Sequence, residues 1–155
     1  MRLYLVRHGE AVSGPVDQKR PLNHHGAEEV KKVARFLKEG SAKPGVIYHS
    51  TKARACQTAE ILREVLKVKA ALVEKDGLSP NDPVSKIANF IDQQKSDLMI
   101  VGHMPFLGSL VSLLVAGEGN KNLVAFPTGG VVILEKEHGQ GWLIKNLINP
   151  GMLLS

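Results

Sequence analysis

The sequence predicts an α/β fold: a three-layer sandwich with a mostly parallel central sheet and helices on both faces. Three observations lead there. Short apolar runs rich in strand formers alternate with longer segments whose apolar residues recur at helical spacing, the pattern of strands linked by crossover helices. The first and third clear runs, Arg2–Val6 and Leu98–Val101, are almost continuously apolar, as expected of strands buried on both faces. The last two runs are joined by a turn around Gly139 and Gly141, which suggests an antiparallel hairpin at one edge.

Taken in order, Arg2–Val6 reads as a strand, and Asn23 is a helix cap. The helix it opens runs to about Glu39, with Val30, Val33, Ala34 and Leu37 on one face and Gly40 as its stop. Val46–His49 is a second strand. Ser50 or Thr51 is expected to cap a helix reaching Leu66, with Ala55, Ala59, Leu62 and Leu66 as its stripe. Ala70–Val73 is a short strand, and Gly77–Pro83 is turn-rich. Asp82 and Pro83 then start a helix carrying Val84, Ile87, Ala88 and Ile91. Leu98–Val101 is a strand. Pro105 opens a helix with Leu107, Leu110, Val111 and Leu114 at helical spacing, ended by Gly117 and Gly119. Val131–Leu134 and Trp142–Leu147 are the late strands. With no repeat, linker or low-complexity segment, the 155 residues suit one domain over 1–155.

Composition narrows the function. A net charge of +5, spread along the chain, favours anionic substrates without indicating nucleic acid. Two tyrosines, four phenylalanines and one tryptophan are too few for base-stacking platforms. A single cysteine, Cys56, forms no internal disulfide, and the N-terminal apolar run is interrupted by Arg7 and His8. A cytoplasmic protein, not associated with a membrane, is therefore expected. A cysteine phosphatase would need an arginine six residues after Cys56, where Leu62 stands, and no P-loop occurs. The six histidines show no metal-ligand pairing with an acidic or Cys cluster, so neither a metal site nor a cofactor is expected.

Three strands end in residues that carry chemistry: Arg7-His8-Gly9, His49-Ser50 with Arg54 shortly beyond, and Gly102-His103. In open α/β sheets ligands bind beyond the carboxyl ends of the strands. Arg7 and Arg54 can grip phosphate oxygens with planar forks of donors. His8 can attack phosphorus if its other ring nitrogen donates to a backbone carbonyl. His103, if protonated, can stabilise charge on the equatorial oxygens. Lys52 and Arg54 lie where a helix dipole disfavours cations, an arrangement that a bound anion reconciles.

Four ordered segments then carry a family resemblance: Leu5-Val6-Arg7-His8-Gly9-Glu10, Pro21-Leu22-Asn23-His24-His25-Gly26, Ser50-Thr51-Lys52-Ala53-Arg54-Ala55-Cys56-Gln57-Thr58-Ala59, and Val101-Gly102-His103-Met104-Pro105. They resemble the motifs of the histidine phosphatase superfamily, whose fold is phosphoglycerate mutase-like. The short length and the Arg20-Pro21-Leu22 context look most like its SixA-type branch of phosphohistidine phosphatases. The resemblance implies that His8 is the phosphorylated nucleophile and that Arg7, Arg54 and His103 form the phosphate pocket. Arg20 matches a further basic residue near it.

Two departures bear on substrate. Ala11 and Gly14 stand where many relatives carry Ser or Thr and Asn, so mutase-style contacts are missing. The stretch Glu74–Asp82 is only nine residues where many relatives place an acid-bearing insertion. Of its acids, Asp82 reads as a helix cap and Asp76 as a turn residue, so no general acid is assigned. Imidazole leaves phosphorus more readily than an alkoxide, so such a site suits phosphohistidine, and a site without a lid can admit a side chain on another protein. The expected function is a metal-independent phosphohistidine phosphatase acting on a phosphohistidine-bearing protein. The alternatives are a small-molecule phosphomonoesterase of the same family and a non-catalytic phosphate-binding module. A mutase is more distant.

Overall fold

The computed structural model describes residues 1–17 and 19–154. In chain order it contains β1 (Arg2–Arg7), α1 (His24–Glu39), β2 (Val46–His49), α2 (Ala53–Leu66), β3 (Ala71–Glu74), α3 (Ser85–Asp92), β4 (Leu98–Gly102), α4 (Phe106–Ala116), β5 (Val131–Lys136) and β6 (Trp142–Ile148). A short 3₁₀ turn, Pro150–Met152, follows. The six strands form one sheet in the order β3-β2-β4-β1-β5-β6. The first four in that order run parallel, and β5 and β6 add antiparallel pairs. Among the described residues no helix is long and apolar enough to cross a membrane.

The period of two in a strand sorts side chains between the faces. Tyr4 and Val6 of β1, Met99 and Val101 of β4, and Val131 and Ile133 of β5 face α1 and α2. Leu3 and Leu5, Leu98 and Ile100, and Val132 and Leu134 face α3 and α4. The predicted stripes of α1 and α2 are buried, as are Ile87, Ala88 and Ile91 of α3 and Leu107, Leu110 and Val111 of α4. This is the three-layer sandwich expected.

Strand β6 breaks the simple alternation. Trp142 and Ile148 share parity, yet Trp142 packs with α3 and α4 while Ile148 packs with α1 and α2. The pairing shifts between Ile133 and Leu134 of β5, which oppose Asn146 and Ile144 and leave Lys145 as the extra residue of a bulge. One extra residue flips the facing of all that follow, so both large side chains reach a core.

Two expected caps are corrected. Helix α2 is entered through Lys52 with no side-chain cap; Ser50 lies two residues before it, with its Oγ 2.6 Å from His103 Nε2 and accepting the Lys52 N–H at 3.3 Å. Helix α3 is entered through Val84, and Asp82 instead accepts the Ser79 N–H at 2.9 Å inside the preceding turn. Asn23 does cap α1, accepting from the Gly26 N–H at 2.7 Å.

Parallel neighbours β1 and β4 send the chain to opposite faces, β1 toward α1 and β4 toward α4. A crevice opens beyond the carboxyl ends of two such strands. In register, Arg7 pairs with Gly102 and His49 with Val101. The next residues along, His8, His103 and Ser50, therefore emerge side by side.

Candidate active site

Backbone bonds fix the floor of this crevice. His8 N–H donates to the Gly102 carbonyl at 2.9 Å, and Gly129 N–H donates to both the Arg7 and His8 carbonyls. Gly9 N–H donates to Thr58 Oγ1 at 3.0 Å, and Thr58 Oγ1 donates to the Arg54 carbonyl at 2.8 Å. One fully buried hydroxyl thus ties the loop after β1 to the first turn of α2, setting His8 and Arg54 in mutual position. Gln57 Oε1 accepts the Leu22 N–H at 2.8 Å and anchors the loop leading into α1.

Two glycines allow that loop to lie flat on α1. A Cβ on Gly26 would stand 2.1 Å from the Glu10 carbonyl oxygen, and one on Gly9 would stand 2.8 Å from Val30. A side chain at Gly26 would have to displace the Glu10 backbone, two residues from His8, and one at Gly9 would press on the Val30 side chain and the Gly26 carbonyl.

His8 is 7% exposed, and its Nδ1 donates to the Gly9 carbonyl at 2.7 Å. A carbonyl can only accept, so in the neutral ring Nε2 carries the free lone pair. The His8 and His103 ring centroids are 5.0 Å apart, tilted by 56°. His103 is buried, with Nε2 2.6 Å from Ser50 Oγ. Arg7 Nη1 donates to the Phe126 carbonyl at 2.7 Å, which orients its guanidinium. Three buried side-chain polar atoms lack a protein partner among the described residues: Arg7 Nε, Arg54 Nε and His103 Nδ1.

The cleft has a volume of about 360 Å³ and is lined by Arg7, His8, Arg20, Arg54, His103 and Glu10, with Ala11, Pro80, Met104 and Thr128 on its walls. All five residues expected at the site, Arg20 included, line this one cleft. Arg20 is exposed at the rim, its Nε donating to the Val12 carbonyl at 3.2 Å. Glu10 is the acid that lines the cleft, whereas Asp76 lies in the turn after β3 and Asp82 is used in its own turn. Glu10 is exposed and accepts from Asn23 Nδ2 at 3.0 Å. His25 lies behind it, 3.8 Å from Glu10 and 3.2 Å from Glu29.

Electrostatics follow from burial and from the arginines. Desolvation pushes His8 from the ordinary 6.5 down to about 4, partly offset by the Gly9 hydrogen bond, and Arg54, Arg7 and Arg20 lower it further. Burial, then His8 and the cations Arg54, Lys52 and Arg7, push His103 down to about 3. Both rings are therefore neutral at pH 7 without an anion. Burial also lowers Arg7 and Arg54, which stay charged as arginines do. The Cys56 thiol is pushed up to about 11 by burial and by Glu60, so it is not a thiolate nucleophile. No group of three or more His, Cys, Asp or Glu among the described residues is placed to hold a metal ion.

A neutral imidazole with one lone pair free thus lines the same cleft as two guanidiniums and a second imidazole, beyond the carboxyl ends of neighbouring parallel strands. The chain belongs to the histidine phosphatase superfamily, whose branch 1 family model matches residues 3–79. It is similar to phosphohistidine phosphatase SixA of Escherichia coli strain K12, with 24% identity over 144 residues covering 90% of this chain and 89% of that one. Its fold is similar to that of the protein histidine phosphatase SixA complexed with tungstate, at a TM-score of 0.86 and 22% identity over 97% of this chain and 98% of that one. It is also similar to that of a phosphoserine phosphatase from Entamoeba histolytica in complex with 3-phosphoglyceric acid, at a TM-score of 0.74 and 15% identity over 96% of each chain.

Proposed function

We propose that this chain hydrolyses phosphohistidine on a protein through a covalent phospho-His8 intermediate, without a metal ion. One observation carries the reading. The three buried side-chain atoms without a protein partner, Arg7 Nε, Arg54 Nε and His103 Nδ1, all belong to residues that line the cleft with His8. Buried polar groups are satisfied almost everywhere in proteins, so three unmet in one place point to a ligand with several acceptors. A tetrahedral phosphoryl group has them. The SixA structure similar in fold is complexed with tungstate, also a tetrahedral oxyanion.

In the first step His8 Nε2 attacks phosphorus, the substrate P–N bond breaks, and the departing imidazole takes a proton from solvent. In the second, water attacks phospho-His8, phosphate leaves and Nε2 regains its lone pair. Arg7 and Arg54 hold the phosphoryl oxygens through both steps, and His103 contributes a hydrogen bond. The incoming and outgoing groups of the first step are both imidazoles, so it needs no strong acid. The connection from β3 to α3 brings Pro80 to the cleft but no carboxylate.

A phosphomonoesterase is the second reading, and Glu10 favours it as a carboxyl at the cleft wall from which a leaving alkoxide could draw a proton. Kinetics decide between them. General acid assistance is worth roughly a hundred- to ten-thousandfold. The phosphohistidine reading therefore predicts at least about a hundredfold preference in kcat/KM for a phosphohistidine domain over 3-phosphoglycerate or a sugar phosphate, unaffected by EDTA. Equal turnover of either alkyl ester, lost in Glu10→Gln, would replace it with the ester reading.

A further inference from the structure

Ser50 has a place in the site that neither its residue type nor its motif assigns. Its peptide is held on both sides: Ser50 N–H donates to the Val101 carbonyl at 3.2 Å, and buried His49 donates from Nδ1 to the Ser50 carbonyl at 2.9 Å. Ser50 is 1% exposed. Its Oγ accepts the Lys52 N–H at 3.3 Å and lies 2.6 Å from His103 Nε2. A serine hydroxyl offers one proton and two lone pairs. Lys52 takes one lone pair. Were His103 to donate from Nε2 into the other, the hydroxyl proton would be buried without an acceptor, since Ser50 Oγ has no other partner among the described residues.

We propose that Ser50 is a positioning residue for His103: its hydroxyl donates to Nε2, fixing the neutral ring with its proton on Nδ1, where it serves as a donor to a phosphoryl oxygen. Nδ1 is one of the three buried atoms without a protein partner. The chain Lys52 N–H to Ser50 Oγ–H to His103 Nε2 then ends in a donor directed by the ring, with no proton taken up. Burial first, and then His8 and the cations Arg54, Lys52 and Arg7, oppose a charge on His103, so the ring stays neutral. The opposite tautomer would set a lone pair against phosphoryl oxygens. This role rests on the cleft being a phosphoryl site.

The test uses the full chain labelled with 15N-histidine, free of phosphate, at pH 7. Two-bond 15N–1H spectra report the tautomer of His103, whose signal is assigned by its loss in His103→Gln. The wild type is expected to carry the proton on Nδ1, Ser50→Ala to shift population toward Nε2, and Ser50→Thr to keep the wild-type pattern. Single-turnover hydrolysis of the phosphoenzyme should slow about ten- to a hundredfold in Ser50→Ala and recover in Ser50→Thr, the range for losing the orientation of one site donor. A wild-type ring protonated on Nε2 or on both nitrogens, or an unchanged tautomer in Ser50→Ala, would overturn the proposal. The tautomer in His8→Ala should match the wild type whether or not His8 is the nucleophile, which separates failure of this role from failure of the covalent mechanism.

Discussion

Arg54 stands in the first turn of α2, a helix entered through Lys52 with no acidic residue in that turn and no side-chain cap. Two cations at the positive end of a helix dipole are unfavourable alone and favourable around an anion. Hydrogen bonds to charged groups are worth about 1.5–3 kcal/mol each, so Arg54→Ala should weaken inorganic phosphate binding by roughly ten- to a hundredfold, measured by calorimetric titration. Arg54→Lys should not restore it, because an ammonium lacks the planar fork. At the same scale, His8 and His103 give stability a pH dependence. Their folded values, about 4 and about 3, lie below the ordinary 6.5, so the unfolded chain takes up protons first as pH falls. Both contributions are intact above about 6.5. They are lost as pH falls from there toward 4 and 3. Thermal melts should show Tm falling below pH 6.5, and less steeply in His103→Gln; a pH-independent Tm from 7 to 4 would contradict the neutral, buried rings.

At the scale of elements, the docking of α1 on the loop after β1 depends on Gly26. A Cβ there would overlap the Glu10 backbone, which is rigid in the sense that Asn23 N–H donates to the Glu10 carbonyl at 3.1 Å. Gly26→Ala should therefore cost about 1–3 kcal/mol, as overpacking does, and lower kcat by displacing His8, read from denaturant unfolding and steady-state rates. Stability and rate both unchanged would mean that the loop yields freely. The helical stripes and the strand runs were legible because burial imprints a period of 3.6 or 2 on the sequence. The bulge at Lys145 was not, because it depends on which strand lies alongside, and the entry of α2 was not: Ser50 lies two residues before Lys52, with its Oγ beside His103, distant in sequence. The same holds for Thr58, which lies within a motif but whose two bonds cross from α2 to the loop after β1.

At the scale of the whole molecule, the site is a product of strand order. His8, Ser50 and His103 come from three strands and meet because β2, β4 and β1 are neighbours in register. The candidate residues were legible because catalytic groups gather at strand ends in this class of fold, whereas the tautomers and unmet donors required the pairing itself. Intact-mass spectrometry without acid tests the covalent role of His8 most directly. Brief exposure of the protein to a phosphohistidine domain should yield a species heavier by one phosphoryl group, absent in His8→Ala, which still binds inorganic phosphate through Arg7 and Arg54. Near-normal turnover by His8→Ala, or a phosphoryl group retained in that variant, would contradict the mechanism.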